Sequence, residues 1–523
     1  MSVTTGTQPV PDVQDADMRL VVGSHFVRVT EFNPHGRYVL MDFCRGMAQY
    51  GLERLPGGRF RKVMLRIFAG ANKERTFFHF HRHQLDQLIT HLGSNGFPKE
   101  RLYVEYLDLP VLEDVEFDVV DVREPRDYQK KFIDYICNDQ HSNIVTLDPG
   151  RGKTFIFLTA MARLKKRTMF VIKPMYIEKW IGDIDESIRL KSGELMVIRG
   201  GKDMKAFTQL AAAGLVDSKI IIVSNMTYLN YLKEYERFSE DFEGLGYGCE
   251  PHELCTKAGV GIKIIDEIHQ DWHLNYRQDL YNHVWKSVGL SGSLLSDDPF
   301  INNTYDIVFP NELRVDNGER DIYVVAKALE YHLTTHKGIS YKNHARKSYS
   351  HVMYEQSLMK RPDRLTAYFK MITEIVYRSY VSVREEGQKM IVFAATVDMC
   401  TILAKWLHQH NPTLNVQRYV SDDDYEEMLE ADLIVSTVKS LGTAIDVPDL
   451  RVCLLTDALN SKQANIQCLG RLRRLKRWPE TTPEFYYLVN VDINKHVEYH
   501  QRKLEIFKGR VVAHKTITTD YRI

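Results

Sequence analysis

The sequence has no excess of charge of either sign. Its 523 residues include 69 lysines and arginines and 69 aspartates and glutamates, so the formal net charge is zero. A strongly basic chain would be attracted to nucleic acid as a whole. Here, any binding to nucleic acid has to come from local basic patches.

Cysteines and long apolar runs are also scarce. The seven cysteines are scattered along the chain, which favours a reducing compartment over a disulfide framework. No apolar run reaches the length of a membrane span, and the first charged residues, Asp12, Asp15 and Asp17, do not resemble a secretion signal. We therefore expect a cytoplasmic protein without a membrane partner.

Two groups of potential metal ligands are too small for a zinc site. Cys249, His252 and Cys255 lack a second ligand pair, and the histidines of TFFHFHRH are better explained as one packed or solvated strand face. The segment 238–255, which contains the first group, is predicted to be a surface insertion.

Apolar segments alternate with helical patterns along most of the chain. The runs NIVTL, TMFVIKP, KIIIVS, IKIIDE and SVGLSG, and later MIVFAAT, LNVQRYV, DLIVST, RVCLLTD and EFYYLVN, are typical of strands covered on both faces. They predict an α/β chain with two parallel-sheet domains in tandem, preceded by a small N-terminal α/β domain. The predicted parts are a flexible terminus (1–17), the N-terminal domain (18–118), the first sheet domain (119–325), a basic connecting segment (326–388), and the second sheet domain with a C-terminal extension (389–523).

Two segments combine basic and aromatic residues, as nucleic-acid-binding surfaces do. One lies in the N-terminal domain, where arginines and Lys62 alternate with Phe60 and Phe68. The other runs from Tyr331 to Arg364 and contains four tyrosines. A solvated face explains the first segment better than binding does, and a solvated linker explains the second equally well.

The stretch Asn143–Phe157 predicts a phosphate-binding loop. An apolar strand is followed by a turn with Gly150 and Gly152 and then by an apolar helical pattern. Backbone N–H groups of such a turn bind phosphate, with Lys153 reaching the β- and γ-phosphates and Thr154 binding Mg²⁺. Leu147 stands where the full motif has its first glycine.

An acidic partner for this loop follows about a hundred residues later. GIKIIDEIHQ ends an apolar strand with Asp266 and Glu267. Asp266 is predicted to hold Mg²⁺ through its water shell, and Glu267 to orient or deprotonate the attacking water.

QCLGRLRR supplies candidate groups for transition-state stabilisation. On a helix, Gln467, Arg471 and Arg474 would emerge on one face. Two guanidinium groups stabilise charge on a transferring γ-phosphate. If they belong to the second domain, ATP binds between the domains and hydrolysis opens and closes that cleft, as in a motor on a polymer. A solvated basic helix is the alternative.

This ordered series of motifs resembles that of superfamily 2 helicases, most closely the phage UvsW-type enzymes that unwind and remodel branched DNA. The resemblance covers about residues 120 to 500 and implies tandem RecA-like domains, with ATP and Mg²⁺ as cofactors. PRDYQK resembles the adenine-reading motif, with Arg126 and Gln129 near the base. DPGRGKT matches motif I and adds Pro149, Gly150, Arg151 and Gly152 to the phosphate site.

The remaining motifs imply coupling and nucleic-acid contacts. DEIH resembles motif II of the DExH class, GLSGSL motif III in its UvsW-like Ser-Gly-Ser form, and QCLGRLRR motif VI. Motif V has Ala444 where many relatives carry glycine. The residues implied in coupling are His269, Ser291, Gly292, Ser293, Gly442 and Asp446, and those implied in nucleic-acid contact are Lys173, Pro174, Asn225, Thr396 and Thr437.

We therefore expect an ATP-dependent DNA helicase or translocase that acts on forks, junctions or R-loops in replication, recombination and repair. An RNA helicase, or a translocase that tracks duplex DNA without separating it, is the alternative within the same chemistry, and an RNA–DNA hybrid is a further candidate substrate. A non-hydrolysing scaffold would show a damaged Lys153, Glu267 or Arg471, and all three are present. No residue pattern identifies a protein partner.

Overall fold

The computed structural model divides into two compact units. Met1–Leu147 and Arg151–Asn317 form unit 1, and Asp148–Gly150 and Gly318–Ile523 form unit 2. The residues that the structure describes are 16–55, 59–109, 111–147, 150–292, 294–315, 322–343, 348–420, 423–441 and 447–523.

The N-terminal part of unit 1 is a small α/β region. Its elements are β1 (Met18–Val22), β2 (Phe26–Thr30), α1 (Pro34–Gly46), β3 (Ala48–Arg54), β4 (Phe60–Ile67), β5 (Gly70–Ala71), β6 (Phe78–His81), α2 (Leu85–Ser94) and β7 (Leu102–Tyr106). Five strands form a mixed sheet in the order β5-β6-β2-β1-β7, while β3 and β4 form a separate antiparallel hairpin.

The rest of unit 1 is built on a parallel sheet. Its elements are β8 (Asp118–Val119), α3 (Asp127–Ile136), β9 (Ser142–Thr146), α4 (Lys153–Leu164), β10 (Thr168–Ile172), α5 (Ile177–Ser187), β11 (Ile188–Arg189), β12 (Leu195–Ile198), α6 (Gly201–Ala212), β13 (Ile220–Ser224), α7 (Asn225–Phe238), α8 (Leu254–Lys257), β14 (Ile262–Ile265), α9 (Trp272–Asp279), β15 (Lys286–Ser291) and α10 (Pro299–Val308). Six strands pair in the order β12-β13-β10-β14-β15-β9, all parallel.

Unit 2 contains a second parallel sheet. Its elements are β16 (Val325–His332), β17 (Lys342–Asn343), β18 (Ser348–Tyr349), α11 (His351–Met359), α12 (Pro362–Val376), β19 (Lys389–Ala394), α13 (Val397–His410), β20 (Val416–Tyr419), α14 (Tyr425–Glu430), β21 (Leu433–Thr437), β22 (Leu450–Leu455), α15 (Lys462–Leu469), β23 (Glu484–Asn490), α16 (Asn494–Phe507) and β24 (Ala513–Arg522). Seven strands pair in the order β20-β21-β19-β22-β23-β16-β24, all parallel.

This architecture confirms the predicted fold class: two parallel-sheet units with a small α/β region before them. The physical basis is burial. Strands such as β10, β13 and β21 are buried along their whole length, because helices cover both faces of a parallel sheet and leave no polar side. Among the described residues, no helix is long and apolar enough to cross a membrane.

The predicted connecting segment 326–388 differs from the structure. Its first residues belong to β16, an interior strand between β23 and β24. Polar residues concealed this strand in the sequence: Lys327 lies in it and pairs with Glu484 of β23 at 2.5 Å. Tyr331 and Tyr354 are almost fully buried and their hydroxyl oxygens are 2.9 Å apart, so their rings are not available to stack on bases.

The predicted surface insertion 238–255 is also wrong in part. Tyr247, Cys249, Leu254 and Cys255 are buried in the core of unit 1. The Tyr231 hydroxyl of α7 donates to the Cys249 carbonyl at 2.6 Å. The segment therefore packs under α7 rather than projecting into solvent, because its aromatic and sulfur-containing side chains close the core there.

The N-terminal region is docked onto the rest of unit 1 through buried polar contacts. His81 Nε2 lies 3.2 Å from Asp279 Oδ2, and both side chains are buried. His79 Nδ1 lies 2.8 Å from the Leu280 carbonyl oxygen. Burial opposes ionisation of Asp279, but His25, His81 and Lys263 together hold its pKa well below the usual range. The histidine strand thus fixes this docking surface.

Replacing His81 with Ala should destabilise unit 1, because it leaves the buried Asp279 carboxylate without its partner. Loss of a hydrogen bond to a buried charged group costs about 1.5–3 kcal/mol, which urea unfolding followed by tryptophan fluorescence would measure. His408→Ala, at an exposed position of α13, is the control, with a change within about 0.5 kcal/mol. Since the folded pKa of Asp279 is depressed, this stabilisation is present above the unfolded pKa and is lost as pH falls. Equal stability of the two variants would contradict the docking role.

Candidate nucleotide and nucleic-acid sites

The phosphate-loop candidate is a turn that only glycines accommodate well. β9 ends at Thr146, and α4 begins at Lys153. Gly150 and Gly152 have φ values of +83° and +81°, which strain residues with a Cβ. A Cβ on Gly152 would also lie 2.7 Å from Gln129 Nε2. The N-terminal N–H groups of α4 are therefore approachable by an anion.

Residues of the predicted adenine motif brace this turn from α3. Gln129 is buried; its Nε2 donates to the Arg151 carbonyl at 3.3 Å, and its Oε1 accepts from the Arg126 N–H at 3.0 Å. The Tyr128 hydroxyl donates to the same Arg151 carbonyl at 3.0 Å, and the Arg151 guanidinium lies 4.2 Å from the centre of the Tyr128 ring. The structure thus brings Arg126, Gln129 and Arg151 together.

A line of polar contacts runs from the phosphate loop to the end of β15. Lys153 Nζ lies 3.0 Å from Glu267 Oε1, and both side chains are largely buried. The other Glu267 oxygen is 3.4 Å from His269 Nδ1, which lies 2.6 Å from the Ser291 hydroxyl. Four predicted residues from three distant stretches of the sequence are therefore in contact.

Helix α5 supports both predicted Mg²⁺ ligands. The Trp180 indole N–H donates to Asp266 Oδ2 at 2.9 Å. One turn later lies Asp183, whose pKa the nearby Thr154 hydroxyl lowers against the larger, opposite effect of burial. A hydroxyl and a carboxylate are hard oxygen donors, which suit Mg²⁺ held by few protein ligands and substrate phosphates. Among the described residues, no group of three or more His, Cys, Asp or Glu side chains could hold a metal ion by itself.

Burial sets the electrostatics of this site. It raises the pKa of Asp266, and the adjacent Glu267 carboxylate raises it further. It also raises the pKa of Asp183. Burial lowers the pKa of His269 to about 4, so this imidazole is neutral at physiological pH. Both contacts involve Nδ1, so a neutral His269 donates to the Glu267 carboxylate only in the tautomer that carries its proton on Nδ1.

The DEIH loop, residues 266–271 after β14, has strained backbone at two positions. Glu267 has φ of +46° and Asp271 has φ of +53°, a conformation that costs residues other than glycine roughly 1 kcal/mol or more each. Lys173, predicted to contact nucleic acid, forms an ion pair with Asp271 at 2.9 Å. Pro174 begins the short helical turn after Lys173. The strained loop is thus tied directly to a candidate nucleic-acid contact.

The other predicted nucleic-acid contacts are partly buried. Asn225 begins α7 and is buried, and its Oδ1 has no hydrogen-bond partner among the described residues. Thr396 precedes α13, and its hydroxyl donates to Glu355 Oε2 at 2.7 Å. Burial raises the pKa of Glu355 to about 8. The Thr437 hydroxyl, at the end of β21, donates to Ser440 Oγ at 2.7 Å.

The predicted helical face of QCLGRLRR is wrong. Helix α15 ends at Leu469, so Gln467 is helical, but Arg471 lies in the turn that follows and Arg474 in the irregular segment after it. Leu469 and Leu472 are both buried, because the chain turns after Gly470 to place both in the core. The Arg474 guanidinium lies 5.3 Å from the centre of the Tyr323 ring. The catalytic roles of these residues remain predictions.

Four predicted site residues lie outside the described residues: Pro149, Ser293, Gly442 and Asp446. Their neighbour Gly292 is half-buried after β15. Sequence analysis missed Tyr128, Trp180, Asp183 and Glu355. Trp180 and Asp183 are three residues apart, so they share one face of α5. This three-residue spacing, in the helix that follows the predicted Lys173-Pro174 contact, is the sequence feature that could have identified Trp180 and Asp183 as site residues.

The comparisons with known proteins agree with this geometry. Residues 123–292, about a third of the chain, match the family model described as "Type III restriction enzyme, res subunit". The matched range includes the phosphate loop, α5 and the DEIH loop. A "DNA 3'-5' helicase XPB" from Kineococcus radiotolerans is 21% identical over 535 residues, which cover 93% of this chain and 83% of that protein.

Similar solved structures include two of Dbp5 from S. cerevisiae. "S. cerevisiae Dbp5 bound to RNA and ADP BeF3" has a TM-score of 0.49 at 12% identity. A structure of a single-residue variant of the same protein, also bound to RNA and ADP BeF3, has a TM-score of 0.49 at 14% identity. Each alignment covers 76% of this chain and 91% of the other.

Replacing Lys153 with Ala should abolish nucleotide hydrolysis, because it removes the cation that faces both Glu267 and the predicted phosphate position. Glu267→Gln should leave ATP binding intact and stop turnover, since an amide cannot accept a proton from water. Phosphate release and fluorescent-nucleotide binding would measure the two effects. Lys165→Ala, at the far end of α4, is the control and should hydrolyse ATP normally. Normal hydrolysis by Lys153→Ala would contradict the assignment.

Trp180→Phe should lower the apparent affinity for Mg²⁺ or kcat by about 10-fold, because supporting contacts of metal ligands are typically worth that much. The aromatic packing is kept, and only the hydrogen bond to Asp266 is lost. Trp272→Phe is a matched control, because it also removes a buried indole hydrogen bond, to Thr304 at 2.7 Å. A Mg²⁺ titration of ATPase activity gives the readout. The same loss in both variants would show that Trp180 acts on stability alone.

Proposed function

We propose that this chain is an ATP-dependent helicase of superfamily 2 that couples ATP hydrolysis to movement along DNA, as its similarity to a restriction-enzyme res-subunit family and to an XPB helicase supports. We further propose that its substrates are branched or forked DNA, which it unwinds or branch-migrates. The observation that carries the proposal is the contact line Lys153–Glu267–His269–Ser291. It joins the phosphate loop to the strand end where the coupling motif lies.

Hydrolysis requires Glu267 to be released from Lys153. In the structure the Lys153 ammonium occupies one Glu267 oxygen. The γ-phosphate of ATP competes for that ammonium, which leaves the Glu267 carboxylate to orient or deprotonate water. His269 then holds the second oxygen of Glu267 and keeps the carboxylate in position. Substrate binding itself therefore frees the base.

The nucleotide is held by residues that are already braced. N–H groups at the start of α4 bind its phosphates, and the α3 side chains that contact Arg151 shape the loop. Mg²⁺ would be held by the Thr154 hydroxyl and the Asp266 carboxylate. When bound, it neutralises charge on the β- and γ-phosphates. Trp180 and Asp183 keep the two protein ligands oriented.

Nucleic acid acts on the same loop through Lys173. A backbone phosphate that binds Lys173 competes with the Asp271 carboxylate. Loss of that ion pair removes one restraint on the strained segment between Glu267 and Asp271. Polymer binding is thereby linked to the geometry of the catalytic glutamate, which explains why we expect ATPase activity to depend on the polymer.

DNA is the preferred polymer because the relative that spans most of the chain is named as a DNA helicase. An RNA helicase would need contacts to 2′-hydroxyl groups. ATPase assays of the purified protein on single-stranded DNA, duplex, fork, four-way junction and RNA distinguish the two.

We expect the strongest stimulation of ATPase activity on forked or four-way-junction DNA. The Lys153→Ala protein serves as the background control for every polymer. Stimulation by RNA alone would replace the DNA proposal with an RNA one. Equal stimulation by linear single strands and by junctions would remove the branch preference.

A further inference from the structure

A basic cavity lies at the edge of the second sheet, and part of its lining belongs to the basic and aromatic segment 331–364. Its volume is about 470 Å³. The charged residues that line it are Lys360, Arg361, Asp363, Arg364 and Arg522. Four are cationic and one is acidic, although the chain as a whole is neutral.

The topology of unit 2 creates this concentration of charge. Lys360 follows α11, and the next two lining residues flank the start of α12. Arg522 ends β24 and pairs in register with His332 at the end of β16. Because all seven strands are parallel, the carboxyl ends of β16 and β24 share one edge with those of β19 and β21. Thr396 and Thr437 stand at that same edge.

Two of the arginines are held in place. Arg361 Nε donates to the Gly338 carbonyl at 3.2 Å, and a Cβ on Gly338 would overlap the Arg361 guanidinium. Gly338 has φ of +80°, a backbone conformation that favours glycine. Arg364 Nη1 donates to the main-chain oxygen of Ile523, also at 3.2 Å. The cavity wall is therefore built from specific contacts.

Among the described residues, no side-chain carboxylate forms an ion pair with Lys360, Arg361, Arg364 or Arg522. Lys360, Arg361 and Arg522 are exposed to solvent. Solvated lysines and arginines on a convex surface are ordinary, but a concave group of four raises the local potential and attracts anions.

We propose that this cavity, the β24 pocket, binds the sugar-phosphate backbone of the nucleic acid on which the enzyme moves. The inference rests on the proposed function and extends its nucleic-acid path across unit 2. From β19 to β24 the sheet spans four strand spacings, about 19 Å at 4.8 Å each. That distance corresponds to about five or six nucleotides of a B-form strand. The β24 pocket therefore binds backbone phosphates several nucleotides away from those at Thr396 and Thr437.

The test compares two double variants with the same change in charge. Lys360→Gln/Arg361→Gln removes two cations from the β24 pocket. Lys370→Gln/Lys405→Gln removes two exposed cations from α12 and α13 outside it. Binding of a fluorescently labelled DNA fork, without nucleotide, is measured by anisotropy over a series of salt concentrations. ATPase activity without polymer is measured in parallel and should be unchanged in both variants.

The pocket variant should bind about tenfold more weakly, and its salt-dependence slope should fall by about 1.4 to 1.8, which is the loss of two phosphate contacts. The control should keep the wild-type slope. As a second variant, Arg522→Gln should lower the slope by about 0.7 to 0.9. Agreement of both pocket variants with these values supports the proposal even if one of them is less stable.

Different failures have different meanings. If the wild-type protein binds the fork and both double variants lose the same affinity, or none, the β24 pocket is not a nucleic-acid site and the proposed function stands. If the wild-type protein binds no nucleic acid and no polymer stimulates its ATPase activity, the proposed function fails and the pocket assignment fails with it.

Discussion

The ion pair between Lys153 and Glu267 is the interaction on which the candidate active site depends. It joins the first residue of α4 to the loop after β14, and both partners are largely buried. Desolvation makes such a pair expensive to form and more expensive to break on one side. The pair therefore requires close placement of two strand ends, which the parallel sheet supplies. Nucleotide phosphate is the natural replacement partner for the ammonium group.

The loop that carries Glu267 has a strained backbone, and contacts with neighbouring side chains hold it in that conformation. Glu267 and Asp271 adopt left-handed backbone conformations that their side chains disfavour. The strain persists because the loop is fixed on several sides: Trp180 holds Asp266, Ser291 holds His269, and Lys173 holds Asp271. Such over-determined strain is typical of sites that change state during a reaction. Here Trp180 restrains the loop next to the predicted nucleotide site, and Lys173 restrains it at a predicted nucleic-acid contact.

Much of the architecture was predictable from local patterns. Apolar runs identified both parallel sheets, and the Gly-Arg-Gly-Lys-Thr sequence identified the turn, since each depends on neighbouring residues only. Predictions failed where distant residues intervene. Val325–His332 joins a sheet through β23 and β24, which follow more than a hundred residues later. The apolar periodicity would continue helix α15 beyond Gly470. The helix ends there because the chain turns and buries Leu472 in the core.

The phosphate turn, the acidic strand end and the order of the motifs can all be read from consecutive residues, because backbone preference and apolar periodicity are local properties. The side chains that orient these features are chosen by long-range packing instead. Trp180 meets Asp266, His81 meets Asp279 and Arg361 covers Gly338. Each of these contacts joins separate segments across packed surfaces, and no local pattern records the shape of a surface that forms only when the chain is folded.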